Sequence, residues 1–309
     1  MGVNMLTFRR IFLFLALNFI ICITISALLS LLGVSRYLYT HNVSLPTLFL
    51  IFFIYGMTGS VISLLLSKKM AKWMMGLRII TPYDVSQEGI LLRRIVKDLS
   101  QKAFLPKMPE IAIFSSPIPN AFATGPSASN SLVAVSTGLL HQLQEEEIEA
   151  VVGHELAHIK NGDMVTMTLL QGVVNTFVLF LSYVLAQAIS MNTRKGKDEG
   201  GNLAVFYITR MVLEILFMIV GSMIVASFSR YREYRADLGG ATLSSKENMI
   251  RALKRLEVPS KKIEKSDIPE AVEALMCNGR ISVIELFSTH PPIQKRIKAL
   301  EESKIPSTL

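Results

Sequence analysis

The chain runs to 309 residues, half of them hydrophobic, with a mean hydropathy of +0.42 and a formal net charge of +8. That composition argues against a purely soluble protein, and the positive excess is the kind that marks the cytoplasmic loops of a membrane protein. No nucleic-acid-binding motif and no interleaving of aromatic with basic residues accompanies it, so nucleic acid is not an expected partner.

Arg9 and Arg10 precede an uncharged run at 11–32, long enough to cross a bilayer at a rise of about 1.5 Å per residue. A signal peptide is the rival reading. Its apolar region is ordinarily shorter and ends at a small-x-small cleavage site, so a retained helix is expected. A linker with Gly33, Arg36 and His41 leads to a second uncharged run at 45–66, closed by Lys68, Lys69 and Lys72. Positive charge brackets this hairpin on one side, and the positive-inside rule puts that side in the cytoplasm. Cys22, in the first run, and Cys277, in a distant polar segment, suggest neither a disulfide framework nor an oxidising compartment.

From about 71 to 163 the chain reads as soluble. Ile90, Leu91, Ile95, Val96 and Leu99 recur at a helical period within 86–102. Residues 111–114 form a short β-like run, which Pro117, Pro119 and Asn120 interrupt before 121–124. Gly125-Pro126 and Ser129-Asn130 mark turns, and 132–136 resumes as a strand, so a small sheet is expected. Ser136-Thr137 caps a short helix carrying Leu139 and Leu140. Gln144-Glu145-Glu146-Glu147 then loads the first turns of another helix with carboxylates, which favours the macrodipole, and Asn161-Gly162 supplies its stop.

That helix carries His154-Glu155-Leu156-Ala157-His158. Helical positions four apart share a face, so the two imidazoles point to one spot. Neutral imidazoles there bind a divalent metal, zinc being usual for nitrogen donors, and Glu155 stands where it takes a proton from water activated by the metal. The bland alternative is two surface histidines with a chance glutamate between them. The chain has only 5 histidines, which makes such a coincidence rare.

Asp163 caps the next helix, and 164–190 is again uncharged and long enough to span. Residues 194–201 form a polar, flexible loop. Its Arg194, Lys195 and Lys197 would lie outside, against the stronger basic flanks at 68–78 and 230–235. The run at 203–229 is apolar except for Arg210 and Glu214, spaced as an i, i+4 pair; a soluble helical hairpin is the alternative to a second membrane hairpin here. Beyond 230 the chain is soluble and helical, amphipathic at 246–256 and 292–300, with a charged connector at 260–269. The expected organisation is therefore a membrane hairpin at 1–70, a first catalytic part at 71–163, a second hairpin at 164–229 and a second catalytic part at 230–309. No internal repeat is present.

A catalytic zinc needs a third protein ligand and an open position. Glu233 and Asp237 stand one turn apart just past the last apolar run, so that one binds metal while the other orients a ligating histidine. A solvated charged face is the alternative for an isolated E-x-x-x-D. Here it does not stand alone. The H-E-x-x-H running on to Asn161-Gly162-Asp163, the S-R-x-x-E-x-x-A-D at 229–237 and Ser288-Thr289-His290-Pro291-Pro292 together resemble the HtpX family, membrane zinc endopeptidases related to the CAAX prenyl proteases.

The likeness covers essentially the full chain. It implies a mainly α membrane protein with about four transmembrane helices and a cytoplasmic zincin-like (gluzincin) α+β catalytic domain carrying a small sheet. His154, His158 and Glu233 would bind one Zn2+ per chain, Glu155 would be the catalytic base, and Asp237 would orient a ligand from behind. In the related prenyl proteases a histidine and an arginine spaced like His290 and Arg296 face the substrate carbonyl, so both are expected to stabilise the oxyanion. Asn120, Ala121 and Phe122 resemble the family's substrate-binding edge strand, with Phe122 as plain core the alternative. Asp163 is expected to be a cap rather than a ligand.

By the same likeness the substrates are polypeptides, misfolded or damaged membrane proteins among them. The setting is the bacterial inner membrane, with the catalytic domain and both termini in the cytoplasm and the lipid bilayer as the other partner. No oligomeric state comes with the resemblance. An intramembrane protease would bury its H-E-x-x-H in an apolar span, whereas charged residues at 145–149 and 160–163 flank this one. A catalytically silent zinc scaffold or chaperone would lack Glu155 or add a fourth ligand. A transporter would place more than Arg210 and Glu214 within its spans.

Overall fold

The structure, a computed structural model, describes residues 43–192, 199–263 and 288–304. The expected first span at 11–32, both cysteines, 194–198 of the expected loop and both termini lie outside them, while 199–201 of that loop are helical instead. The described residues divide into two compact units, one built from 63–167 with 227–263 and 288–304, the other from 43–62 with 168–192 and 199–226.

Three helices among the described residues are long and apolar enough to cross a membrane. They are α1 (Leu45–Met74), α5 (Asp163–Asn192) and α6 (Glu199–Leu243). Helix α1 leaves Leu50, Ile54, Ile62 and Leu65 exposed, an outward apolar surface of the kind lipid covers. In the unit containing Thr168–Ala226, Leu48, Phe52, Leu179, Tyr183 and Phe206 form the core. Arg210 and Glu214 are also buried there. The guanidinium donates from Nε to the carboxylate at 2.8 Å and lies 6.0 and 5.7 Å from the rings of Phe52 and Tyr183.

The other unit holds a four-stranded sheet. Its strands are β1 (Arg78–Ile79), β2 (Glu110–Phe114), β3 (Ala121–Ser127) and β4 (Asn130–Ser136), in the order β1-β2-β4-β3. The central pair β2 and β4 is parallel, and both outer pairings are antiparallel. Near-continuous apolar runs put β2 and β4 in the middle, because a strand covered on both faces has no place for alternating polar residues. Helices α2 (Gln87–Lys102), α3 (Thr137–Gln142) and α4 (Glu145–Asn161) follow, with α7 (Lys246–Ile263) and α8 (Ile293–Glu301) completing the set.

Ser86 starts α2 by accepting from the Gly89 N–H, and α2 buries Leu92, Ile95, Val96 and Leu99 in the main core. Each such side chain contributes about 1.5–3 kcal/mol on removal from water. Val151, Val152, Leu156 and Ile159 from α4 enter the same core, which fixes the rotation of the helix that bears the histidines.

The turn expected at Gly125-Pro126 is instead part of β3, and the reversal falls at Ala128-Ser129. Gly125 takes φ +137, where a Cβ would strike the Asn130 carbonyl, and the register shifts between Thr124 and Ser127. This bulge lets the strand pass the glycine, and an edge strand tolerates the missing N–H of Pro126. The last apolar run and the segment bearing Glu233 are likewise one unbroken helix, α6.

Candidate metal centre

Two helices bring the site together. At the start of α4 the Glu147 side chain accepts from the Gln144 N–H, and at its end Gly162 takes φ +66 with its N–H returning to Ile159. Between these caps His154 and His158 present their rings edge to face, with centroids 4.7 Å apart. Helix α6 comes close to α4 because small residues face each other. A Cβ on Gly240 would lie 3.0 Å from the His154 N and 3.1 Å from the Ala150 carbonyl, and one on Gly239 would strike Ala157. Only near-contact of the two backbones allows a carboxylate on α6 to reach both rings.

That carboxylate is Glu233. Its Oε1 is 3.3 Å from His158 Nε2, its Oε2 is 3.6 Å from His154 Nε2, and the two Nε2 atoms are 3.2 Å apart. His154, His158 and Glu233 are all buried and, among the described residues, form a cluster able to hold a metal ion. Glu233 Oε1 is buried with no hydrogen-bond donor among the described residues, an acceptor left for a cation to satisfy.

A second carboxylate stands behind each ring. His158 donates from Nδ1 to Asp163 Oδ2 at 2.6 Å. Asp237 Oδ1 lies 2.9 Å from His154 Nδ1, close but not aligned as a straight hydrogen bond. Burial disfavours a charged ring at His154, yet Asp237 and Glu233 outweigh it and push its pKa up to about 10. His158 moves the same way, burial opposing while Asp163 and Glu233 prevail. Buried carboxylates that favour positive charge on these rings would equally favour a divalent ion held by the rings in their neutral form.

Arg296 donates from Nε and Nη2 to the two oxygens of Asp237 at 2.7 and 2.5 Å, and its Nη1 is 3.6 Å from Glu233 Oε2. His290 donates from Nδ1 to Glu233 Oε2 at 2.8 Å while its side chain stays 54% exposed, which places it at the mouth of the site. Arg230 donates to the Ser288 carbonyl and Ser288 Oγ to the His290 carbonyl, which ties the His290 turn to α6. Glu155, next to His154 on α4, is half-buried.

Strand β3 is an edge of the sheet and lies against α4. Asn120 precedes it, with both backbone groups committed to Ser136. In an antiparallel ladder that pairing turns the N–H and C=O of Ala121 and Ala123 away from β4. The Phe122 ring packs 5.7 Å from Phe114 in a satellite core that includes Leu132 and Ala134. The sequence pattern points to Asp163 only as a cap, whereas it also meets His158 Nδ1. Its spacing of five from His158 across a glycine was the available signal, because the left-handed turn at Gly162 swings the next residue back to the ring.

Residues 87–304 match Peptidase family M48. The Protease HtpX homolog of Herminiimonas arsenicoxydans is 46% identical over 295 residues, which cover 94% of this chain and 98% of that protein. The Protease HtpX of Shewanella pealeana is 47% identical over 294 residues, 94% of this chain and 99% of that protein. The crystal structure of S. mikatae Ste24p shares the fold, with a TM-score of 0.56, 18% identity, and coverage of 94% of this chain and 67% of that one. With nearly the whole chain aligned to HtpX proteases and the family match enclosing every member of the cluster, this protein belongs to peptidase family M48 as a membrane metalloendopeptidase.

Proposed function

We propose that the bound metal is zinc and that the enzyme cuts misfolded or damaged membrane proteins at the cytoplasmic face of a bacterial inner membrane. The observation that carries this reading is the convergence of His154 Nε2 and His158 Nε2, 3.2 Å apart, on the Glu233 carboxylate, whose Oε1 is 3.3 Å from His158 and whose Oε2 is 3.6 Å from His154. Donors bound about 2.0–2.1 Å from a tetrahedral ion stand about 3.3 Å apart, and a two-nitrogen, one-oxygen set suits zinc. When bound, such an ion supplies Lewis-acid chemistry, polarising a carbonyl and acidifying water.

The chain's own groups do the rest. Glu155 takes the proton of the attacking water and returns it to the departing amine. His290, anchored by Nδ1 on Glu233, has Nε2 left to meet the carbonyl oxygen as it gains charge, and the Nη1 side of Arg296 supports it. An extended peptide adds beside β3 through the outward backbone groups of Ala121 and Ala123, with the exposed Asn120 at the entrance and Phe122 holding the strand from its other face. The lysines at 68, 69 and 72 and the arginines at 230, 232 and 235 favour a cytoplasmic site.

The test is Glu155→Gln. It should retain zinc and lower cleavage of casein or a membrane substrate by about 10²–10⁴-fold; an unchanged rate overturns the assignment. For sidedness, a Lys160→Cys variant labelled only from the periplasm would reverse the orientation.

A further inference from the structure

We propose that Arg296 is a positioning residue for the ligand His154, acting through Asp237. This rests on the reading of His154, His158 and Glu233 as metal ligands and adds a duty that substrate contact does not require.

The two histidines are braced differently. Asp163, the brace of His158, lies five residues along the same chain and is held by the local turn at Gly162. Asp237, the brace of His154, projects from another helix and has no such turn to orient it. Its plane is set instead by Arg296, whose Nε and Nη2 grip both carboxylate oxygens side-on from α8. A guanidinium is a rigid planar fork, so a two-point grip fixes the tilt of the carboxylate as well as its position. That tilt decides how Oδ1, 2.9 Å away, sits against His154 Nδ1, and therefore where the ring turns and Nε2 points.

Helix α8 is built to hold this position. Ile297 and Leu300 are buried in the main core. Lys246 Nζ donates to the carbonyls of Glu301 and Ser303, closing the end of the helix. The third nitrogen, Nη1, faces Glu233 at 3.6 Å, so one side chain spans the brace and a ligand one turn apart on α6. An arginine serving only the substrate would have no need to commit two of its nitrogens to a buried carboxylate.

The experiment uses the full-length protein in detergent micelles, with Zn2+ affinity measured by competition against a chromogenic chelator. Arg296→Lys keeps the charge but not the fork, and Arg296→Gln removes both. Each should weaken Zn2+ binding about ten-fold or more, the scale on which braces of metal ligands act. The metal-free unfolding midpoint of Arg296→Lys should stay near that of the wild type. Asp237→Asn should lose a similar factor, and Arg296→Gln combined with Asp237→Asn should lose no more than Asp237→Asn alone. Wild-type Zn2+ affinity in Arg296→Lys and Arg296→Gln, or losses that multiply in the double variant, overturns the proposal. If His154→Ala leaves Zn2+ uptake intact, the metal-site reading beneath it fails instead.

Discussion

Arg210 and Glu214 bury one guanidinium and one carboxylate a turn apart on α6. Around His154 and His158, Glu233, Asp237 and Asp163 bury three carboxylates against Arg296, with Arg232 approaching Glu233 only at 3.9 Å from a partly exposed position. The first set joins one charge of each sign in a direct pair. Among the described residues the second has more carboxylates than guanidiniums, so that with neutral imidazoles its charge is negative, and it has a Glu233 oxygen without a donor and two imidazoles whose pKa values are raised. Burying charge without a partner is expensive, so the imbalance is informative. A buried pair of opposite sign points to structure, whereas a surplus of carboxylates converging on imidazole nitrogens points to a cation.

Glu233→Gln attacks the contrast most directly. Metal content per chain should collapse and hydrolysis fall to background, as read by elemental analysis beside a casein assay; retained metal would mean that the surplus has another purpose. In the paired set, Arg210→Met should destabilise the protein by about 3–5 kcal/mol, because it takes the guanidinium away from a buried carboxylate. Adding Glu214→Met should recover most of that loss. Unfolding in mixed micelles measures both, and a double variant no better than the single one would show that the two do not act as the direct pair described.

Asp163→Asn sharpens the comparison further. It keeps the size of the side chain but removes the charge behind His158, and should weaken Zn2+ binding by about 10–100-fold with little change in the fold. Equilibrium competition with a chelator reads this, and an unchanged affinity would return Asp163 to the status of a cap.

The smallest effect is expected at Glu110, which is open to solvent and meets Lys68 and Lys72 at 2.8 and 2.6 Å. Burial would raise its carboxyl, but the two lysines prevail and lower it from 4.5. A depressed carboxylate stabilises above its unfolded pKa and loses that contribution as the pH falls through the folded value. Glu110→Gln should therefore cost about 0.5 kcal/mol or less near neutrality, after screening by solvent. The difference should shrink as the pH falls below the ordinary carboxylate value and vanish once it passes the lowered folded value, as read from paired unfolding curves.

The parts of this site that follow a period were legible before any coordinates. His154 and His158 share a face because helices repeat, and Glu233 and Asp237 are one turn apart for the same reason. The short apolar runs at 111–114 and 132–136 announced the sheet, and Ser136 its following cap. What escaped notice depends on geometry that no period encodes. Asp163 reaches His158 only because Gly162 turns left-handed. The grip of Arg296 on Asp237 joins residues 59 apart in the chain, and the near-contact of α4 with α6 is visible only once Gly240 is seen beside the His154 backbone. The bulge at Gly125 was hidden because Gly-Pro more often ends a strand than passes through one.

Strand β3 carries a consequence for how the enzyme tells friend from victim. With substrate docked as proposed, it would offer an incoming chain the amide groups of two alanines, while Phe122 turns its ring into the sheet's own core. A surface of that kind cannot spell a residue name. What it can sense is whether a polypeptide has backbone to spare: a neighbour whose amides are already satisfied in its own helices has nothing to lend, and one that has come undone does. Sparing intact proteins would then need no inhibitor and no recognition code, since collapse of the target is itself the ticket of entry.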